Sequence, residues 1–60
     1  MTTVLIVDDE ALAIQAIRRS INWKNLDVDR VLDAANGVEA QKILCQEPVQ
    51  VLVCLSLIHI

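Results

Sequence analysis

The stretch Val4-Leu5-Ile6-Val7-Asp8-Asp9-Glu10 constrains the fold more than any other part of this chain. Four apolar residues run directly into three carboxylates. Val4, Ile6 and Val7 are β-branched and the run is short, which predicts a buried parallel strand rather than a helix. Acids that follow such a strand lie at its carboxyl end. In an open α/β sheet, that edge is where ligands bind. Two adjacent carboxylates there, Asp8 and Asp9, can hold a hard divalent cation such as Mg²⁺, which takes oxygen ligands and keeps much of its water. The same acids also suit the start of a helix, where unpaired N–H groups and the helix dipole favour negative charge.

The rest of the chain alternates. A helix is predicted from about Glu10 to Ile21, with Ile14, Ile17 and Ile21 on one face and Leu12, Ala13 and Ala16 widening it. Trp23, the only aromatic residue, suits an anchor that packs the helix-to-strand connection against the core. Val28 to Leu32 is the second strand, and Asp29 and Arg30 within it suit an edge position. Asn36 can cap the next helix, with Glu39 completing a box-like arrangement. That helix runs from about Gly37 to Gln46, burying Ala40, Ile43 and Leu44, and Pro48 marks its stop. Val49 to Val53 is a third strand. Strand-helix-strand-helix-strand order implies an α/β fold with a parallel sheet and right-handed crossovers.

Composition narrows the class. At 60 residues the chain buries only roughly 60% of its unfolded surface. Its 55% apolar content suits part of a larger α/β core better than a complete miniature fold. Three strands and two helices are expected to leave one sheet face and the outer edge of the third strand bare, which predicts poor solubility, partial folding or self-association through that edge. The net charge of −3 and the scattered Arg18, Arg19, Lys24 and Arg30 argue against a nucleic-acid surface. Cys45 and Cys54 form no CxxC pair and are expected to be reduced, buried fillers of a cytoplasmic protein. No signal peptide is visible, and the apolar run from Val49 to Ile60 falls short of the roughly 20 residues that span a bilayer, so no membrane partner is expected.

Several of these features stand in one register. The acidic turn after the first strand, the Ala34-Ala35-Asn36-Gly37-Val38-Glu39-Ala40 stretch, and Pro48 before an apolar strand together resemble the N-terminal half of a response-regulator receiver domain. Ile21-Asn22-Trp23 is similar to receivers of bacterial two-component regulators with an AraC-type DNA-binding output domain. The resemblance covers about residues 2 to 54. It implies a partial flavodoxin-like sheet, the truncated β-α-β-α-β half of a receiver, and a signalling module rather than an enzyme. It further implies Mg²⁺ in the intact domain, held by Asp9 directly and by Asp8 through water, with weak or no binding by this chain alone, a sensor histidine kinase as partner of the intact parent, and DNA contact only through an output domain. Phosphoryl transfer places charge on oxygens that such a metal neutralises.

The resemblance breaks at one position. The family places its phosphate-accepting aspartate directly after the third strand, where this chain has Leu55. Leucine carries no nucleophilic oxygen. The Met-Pro turn and the later Ser/Thr and Lys of the family's switch are also missing. Residues 1–54 therefore read as the N-terminal part of a receiver, and residues 55–60 as a non-native or divergent tail. That tail resembles the translation of sequencing-adapter DNA at the end of an incomplete gene. Two other functions compete. One is a phosphorylation-independent interaction module that pairs with full-length regulators. The other is a phosphohydrolase, whose acids follow an Asp-x-Asp pattern that adjacent Asp8-Asp9 does not fit.

Overall fold

The computed structural model describes residues 2–55, an α/β unit in which strands and helices alternate. The elements are β1 (Thr3–Val7), α1 (Ala11–Ser20), a 3-10 turn (Trp23–Leu26), β2 (Arg30–Ala34), α2 (Gly37–Gln46) and β3 (Val51–Cys54). All strand pairs are parallel and the sheet order is β2-β1-β3. These are the first three strands of the flavodoxin-like order. The expected β-α-β-α-β half-fold is therefore present. Residues 56–60 of the tail, including His59, lie outside the described residues.

β1 is the centre of the core because it is apolar on both faces. Leu5 and Val7 pack with Ala34 and Ala40 under α2, and Val4 and Ile6 pack with Ile14 under α1. The two helices thus cover opposite faces of the sheet. This corrects the expectation of a bare face. β2 lies on one side of β1 and β3 on the other, so two right-handed crossovers run in opposite directions and deposit their helices on opposite faces. Leu5, Ile6 and Val7 are the largest fully buried side chains. Each contributes about 1.5–3 kcal/mol of burial free energy.

α1 is shorter than Glu10 to Ile21 and buries less. Ile14 is buried and Ile17 half-buried, whereas Leu12 is 78% exposed and Ala16 is also exposed. A three-stranded sheet meets only one stripe of the helix, so the widened face has nothing to touch. Trp23 does anchor the connection. Its indole N–H donates to the Arg18 carbonyl at 3.1 Å and its ring packs against the Val4–Ile6–Ile14 cluster. The turn after it closes on Asp27, whose left-handed φ of 59° lets its N–H reach the Lys24 carbonyl at 3.1 Å. The Asp29 and Arg30 N–H groups then both donate to the Thr2 carbonyl. This longer connection moves β2 to Arg30–Ala34 instead of Val28 to Leu32. β2 is an edge strand, as its charges suggested.

α2 spans the expected Gly37–Gln46. Asn36 Oδ1 accepts the Glu39 N–H at 2.9 Å, and Glu39 Oε2 accepts the N–H of Ala35, the residue before the N-cap, at 2.7 Å, a box-like cap displaced by one residue. Removing this cap by Asn36→Ala is expected to lower stability by about 1 kcal/mol, measured as a shift in urea midpoint. Ala40 is buried and Ile43 packs beside it, but Leu44 is exposed, because no third element covers that side of the helix. β3 begins at Val51 rather than Val49. Gln50 holds both main-chain groups of Thr3: its side chain accepts the Thr3 N–H at 2.7 Å and its own N–H donates to the Thr3 carbonyl at 3.0 Å.

Two of the scattered cations are ion-paired at the surface, Arg18 with Asp33 and Arg30 with Glu47. Both pairs are exposed, so each is worth a few tenths of a kcal/mol up to about 1 kcal/mol. Cys45 and Cys54 are free and exposed, not buried fillers. The outer face of α2 and the flank of β3 leave them uncovered. In dilute native protein both thiols are expected to react with iodoacetamide at the rate of the urea-unfolded chain. Slow labelling of either, read by mass spectrometry, would contradict this placement. Among the described residues no helix is long and apolar enough to cross a membrane.

Candidate functional site

The acidic turn sits at the carboxyl end of β1, between the ends of β2 and β3. Its position is set by main-chain pairing on both sides. The Asp8 N–H donates to the Ala34 carbonyl at 3.1 Å, and the Leu55 N–H donates to the Val7 carbonyl at 3.1 Å. Val7 pairs with Ala34 on one side and Cys54 on the other. Continuing that register by one residue sets Leu55 beside Asp8. The chain turns left from β1 to β2 and right from β2 to β3, so the β1–β3 crevice is the point where strand order reverses. Ligands of open α/β sheets bind at that point.

The two carboxylates differ sharply. Asp8 is buried, 5% exposed, and its Oδ1 accepts the Glu10 N–H at 2.9 Å. One Asp8 oxygen therefore holds the turn, and this is the part of the capping reading that the structure supports. Asp9 is exposed, and among the described residues its carboxylate accepts no hydrogen bond. Glu10 occupies the N-cap position of α1 without a side-chain cap bond, and the first turn of the helix holds no acid. The sequence expectation that all three acids serve the helix start is not met. Asp8 organises the turn, and Asp9 stands free at the crevice.

Asp8 and Asp9 offer hard oxygen donors of the kind Mg²⁺ takes, so their chemistry fits the ion in part. Among the described residues, however, no three His, Cys, Asp or Glu side chains come together. The residue that the β1–β3 register sets beside Asp8 is Leu55, which has no side-chain oxygen to offer. For such an ion Asp9 would be the free ligand, Asp8 could give its second oxygen or act through water, and water would fill the remaining positions. When bound, the ion would neutralise charge on phosphoryl oxygens.

The remaining singled-out residues lie elsewhere. α1 starts at the acidic edge and ends at the opposite edge, so Trp23 is remote from the crevice. Gln50 and Asp29, which bind the Thr3 and Thr2 N–H groups, also lie at the amino ends of the strands. Sequence reasoning named both carboxylates and the odd residue Leu55. What it missed was that Asp8 is buried and partly committed, although an Asp two residues before a helix N-cap is a recognisable turn signal.

No protein-family model matches this chain, and neither curated proteins nor solved structures gave a match.

Proposed function

We propose that this chain is the N-terminal part of a receiver-like domain for phosphorelay signal transduction, with Leu55 standing where the phosphate-accepting Asp belongs. The observation that carries the reading is the β1–β3 register, which sets Leu55 beside Asp8 at the strand-order reversal. Motif spacing named these two positions from sequence, and the sheet brings them together. In a parent with Asp at this position, a cytoplasmic sensor histidine kinase would be the phosphoryl source. Mg²⁺ at Asp8 and Asp9 would assist, and an output domain of AraC type would make the DNA contact. The proposed role is signalling rather than enzymatic turnover.

A second reading is favoured by Leu55 itself. A chain that lacks the acceptor can serve as a phosphorylation-independent module that pairs with full-length regulators. The source DNA at codon 55 separates the two. An Asp codon, with the frame running on into further strands, supports the receiver reading. A Leu codon in intact genomic DNA excludes phosphoryl acceptance by this chain and leaves the interaction module.

A further inference from the structure

Gly37 is the only glycine of the chain, and it follows an asparagine, Asn36. The side-chain amide of an Asn before Gly is chemically labile. Glycine carries no Cβ, so nothing shields its nitrogen from the Cγ of the residue before it. Asn36 is exposed and stands just past β2, at the sheet edge that carries Asp8 and Asp9. Gly37 is the first residue of α2, so its N–H is one of the donors for which a helix supplies no carbonyl. Among the described residues that N–H makes no hydrogen bond. An unpaired main-chain nitrogen and an electrophilic amide are thus neighbours.

The fold holds the two apart. Closing a ring between them requires the Gly37 nitrogen to eclipse the Asn36 Cβ about the Cα–C bond. The ψ of Asn36 is 175°, which turns that nitrogen well out of line with Cβ. Asn36 Oδ1 accepts the Glu39 N–H at 2.9 Å, and the Glu39 carboxylate holds the Ala35 N–H at 2.7 Å. Side chain and main chain are therefore fixed together, and the reactive geometry is reached only when this cap opens. Asn22 and Asn25 precede Trp23 and Leu26, whose side chains shield the following nitrogen, so they serve as controls within the same chain.

We propose that Asn36 is a site of spontaneous deamidation whose rate is set by opening of the α2 cap. The Gly37 nitrogen gives up its proton and bonds to Asn36 Cγ, and the side-chain nitrogen takes that proton and leaves as ammonia. Water then opens the cyclic imide. Addition at Cγ restores the ordinary chain with an aspartate at this position. Addition at the main-chain carbonyl leaves the chain running through Cγ, as an isoaspartyl link. The two products differ in what they do to α2. Aspartate caps a helix as well as asparagine does, and its charge suits the helix dipole. The isoaspartyl link lengthens the main chain by one carbon and loses the cap. Either product makes the acidic edge one charge more negative.

Incubation of the 60-residue chain in heavy-oxygen water, followed by peptide mass spectrometry, is the test, because each event replaces an amide nitrogen by solvent oxygen. In native buffer, with helical dichroism present, Asn36 is expected to react about fivefold or more slowly than in urea, the factor that one side-chain cap contributes. Glu39→Ala is expected to raise the native rate toward the urea rate and to leave the urea rate unchanged. Asn22 and Asn25 are expected to stay unmodified in both solvents. Asn36→Asp is expected to keep the parent's urea midpoint, whereas the isoaspartyl fraction of an aged sample unfolds at lower urea. Equal Asn36 rates in buffer and in urea overturn the proposal, as does a native rate in Glu39→Ala that stays at the parent's. A chain without helical dichroism in buffer has no cap to open and overturns it too. Faster reaction at Asn22 or Asn25 overturns it as well.

Discussion

Leu55→Asp is expected to raise the affinity of this chain for Mg²⁺ more than tenfold. Leu55 stands beside Asp8 at the carboxyl end of the sheet, and its N–H already bonds the Val7 carbonyl. The substitution adds a carboxylate to two that exist, without moving the backbone. One more unit charge about 4 Å from a divalent ion is worth about 2 kcal/mol even at the dielectric of water. Each 1.4 kcal/mol is roughly a factor of ten. Without metal the same change crowds three acids, so the variant is expected to be less stable than the parent in EDTA and to recover in Mg²⁺. Titration calorimetry and urea unfolding, each with and without Mg²⁺, read both effects. Unchanged affinity would sink the assignment of the crevice, as would an equal gain in a variant that also carries Asp8→Asn and Asp9→Asn.

The second large effect concerns the central strand. Ile6→Ala removes a fully buried side chain from the cluster under α1, and Leu5→Ala does the same under α2. Such truncations cost about 2–5 kcal/mol each. A chain of this size is stable by only about 3–9 kcal/mol. Either change is therefore expected to shift most of the population to the unfolded state, seen as loss of far-ultraviolet dichroism at both faces together. Leu12→Ala, at an exposed position of α1, should stay within about 0.5 kcal/mol of the parent. If Ile6→Ala melts α1 alone and leaves the α2 face intact, the two faces do not share one cooperative core.

Much of this architecture is legible in the residues because their signals are local. An apolar β-branched run, an Asn–Glu cap and a Pro stop act on neighbouring residues, and α2 runs over the expected Gly37–Gln46. The connection after α1 was less legible. Its boundary depends on the Asp29 and Arg30 N–H groups reaching Thr2, a partner 27 residues from Asp29 whose own N–H bonds the Asp29 carboxylate. Exposure was misread at Leu12, Leu44, Cys45 and Cys54 for one reason. Hydrophobicity marks what could be buried, and only the placement of partners determines what is.

The division at the candidate site follows the same line. Sequence alone determined the residue types: two carboxylates after a buried strand, and a leucine after the third. Those are properties of single positions and their spacing. Only the tertiary structure decided that β1 lies between β2 and β3, that the helices take opposite faces, and that Leu55 adjoins Asp8. Strand order arises from non-local pairing and crossover handedness, which no short stretch encodes. It also decided the unlike roles of Asp8 and Asp9, since burial and the Glu10 N–H claim one and leave the other free.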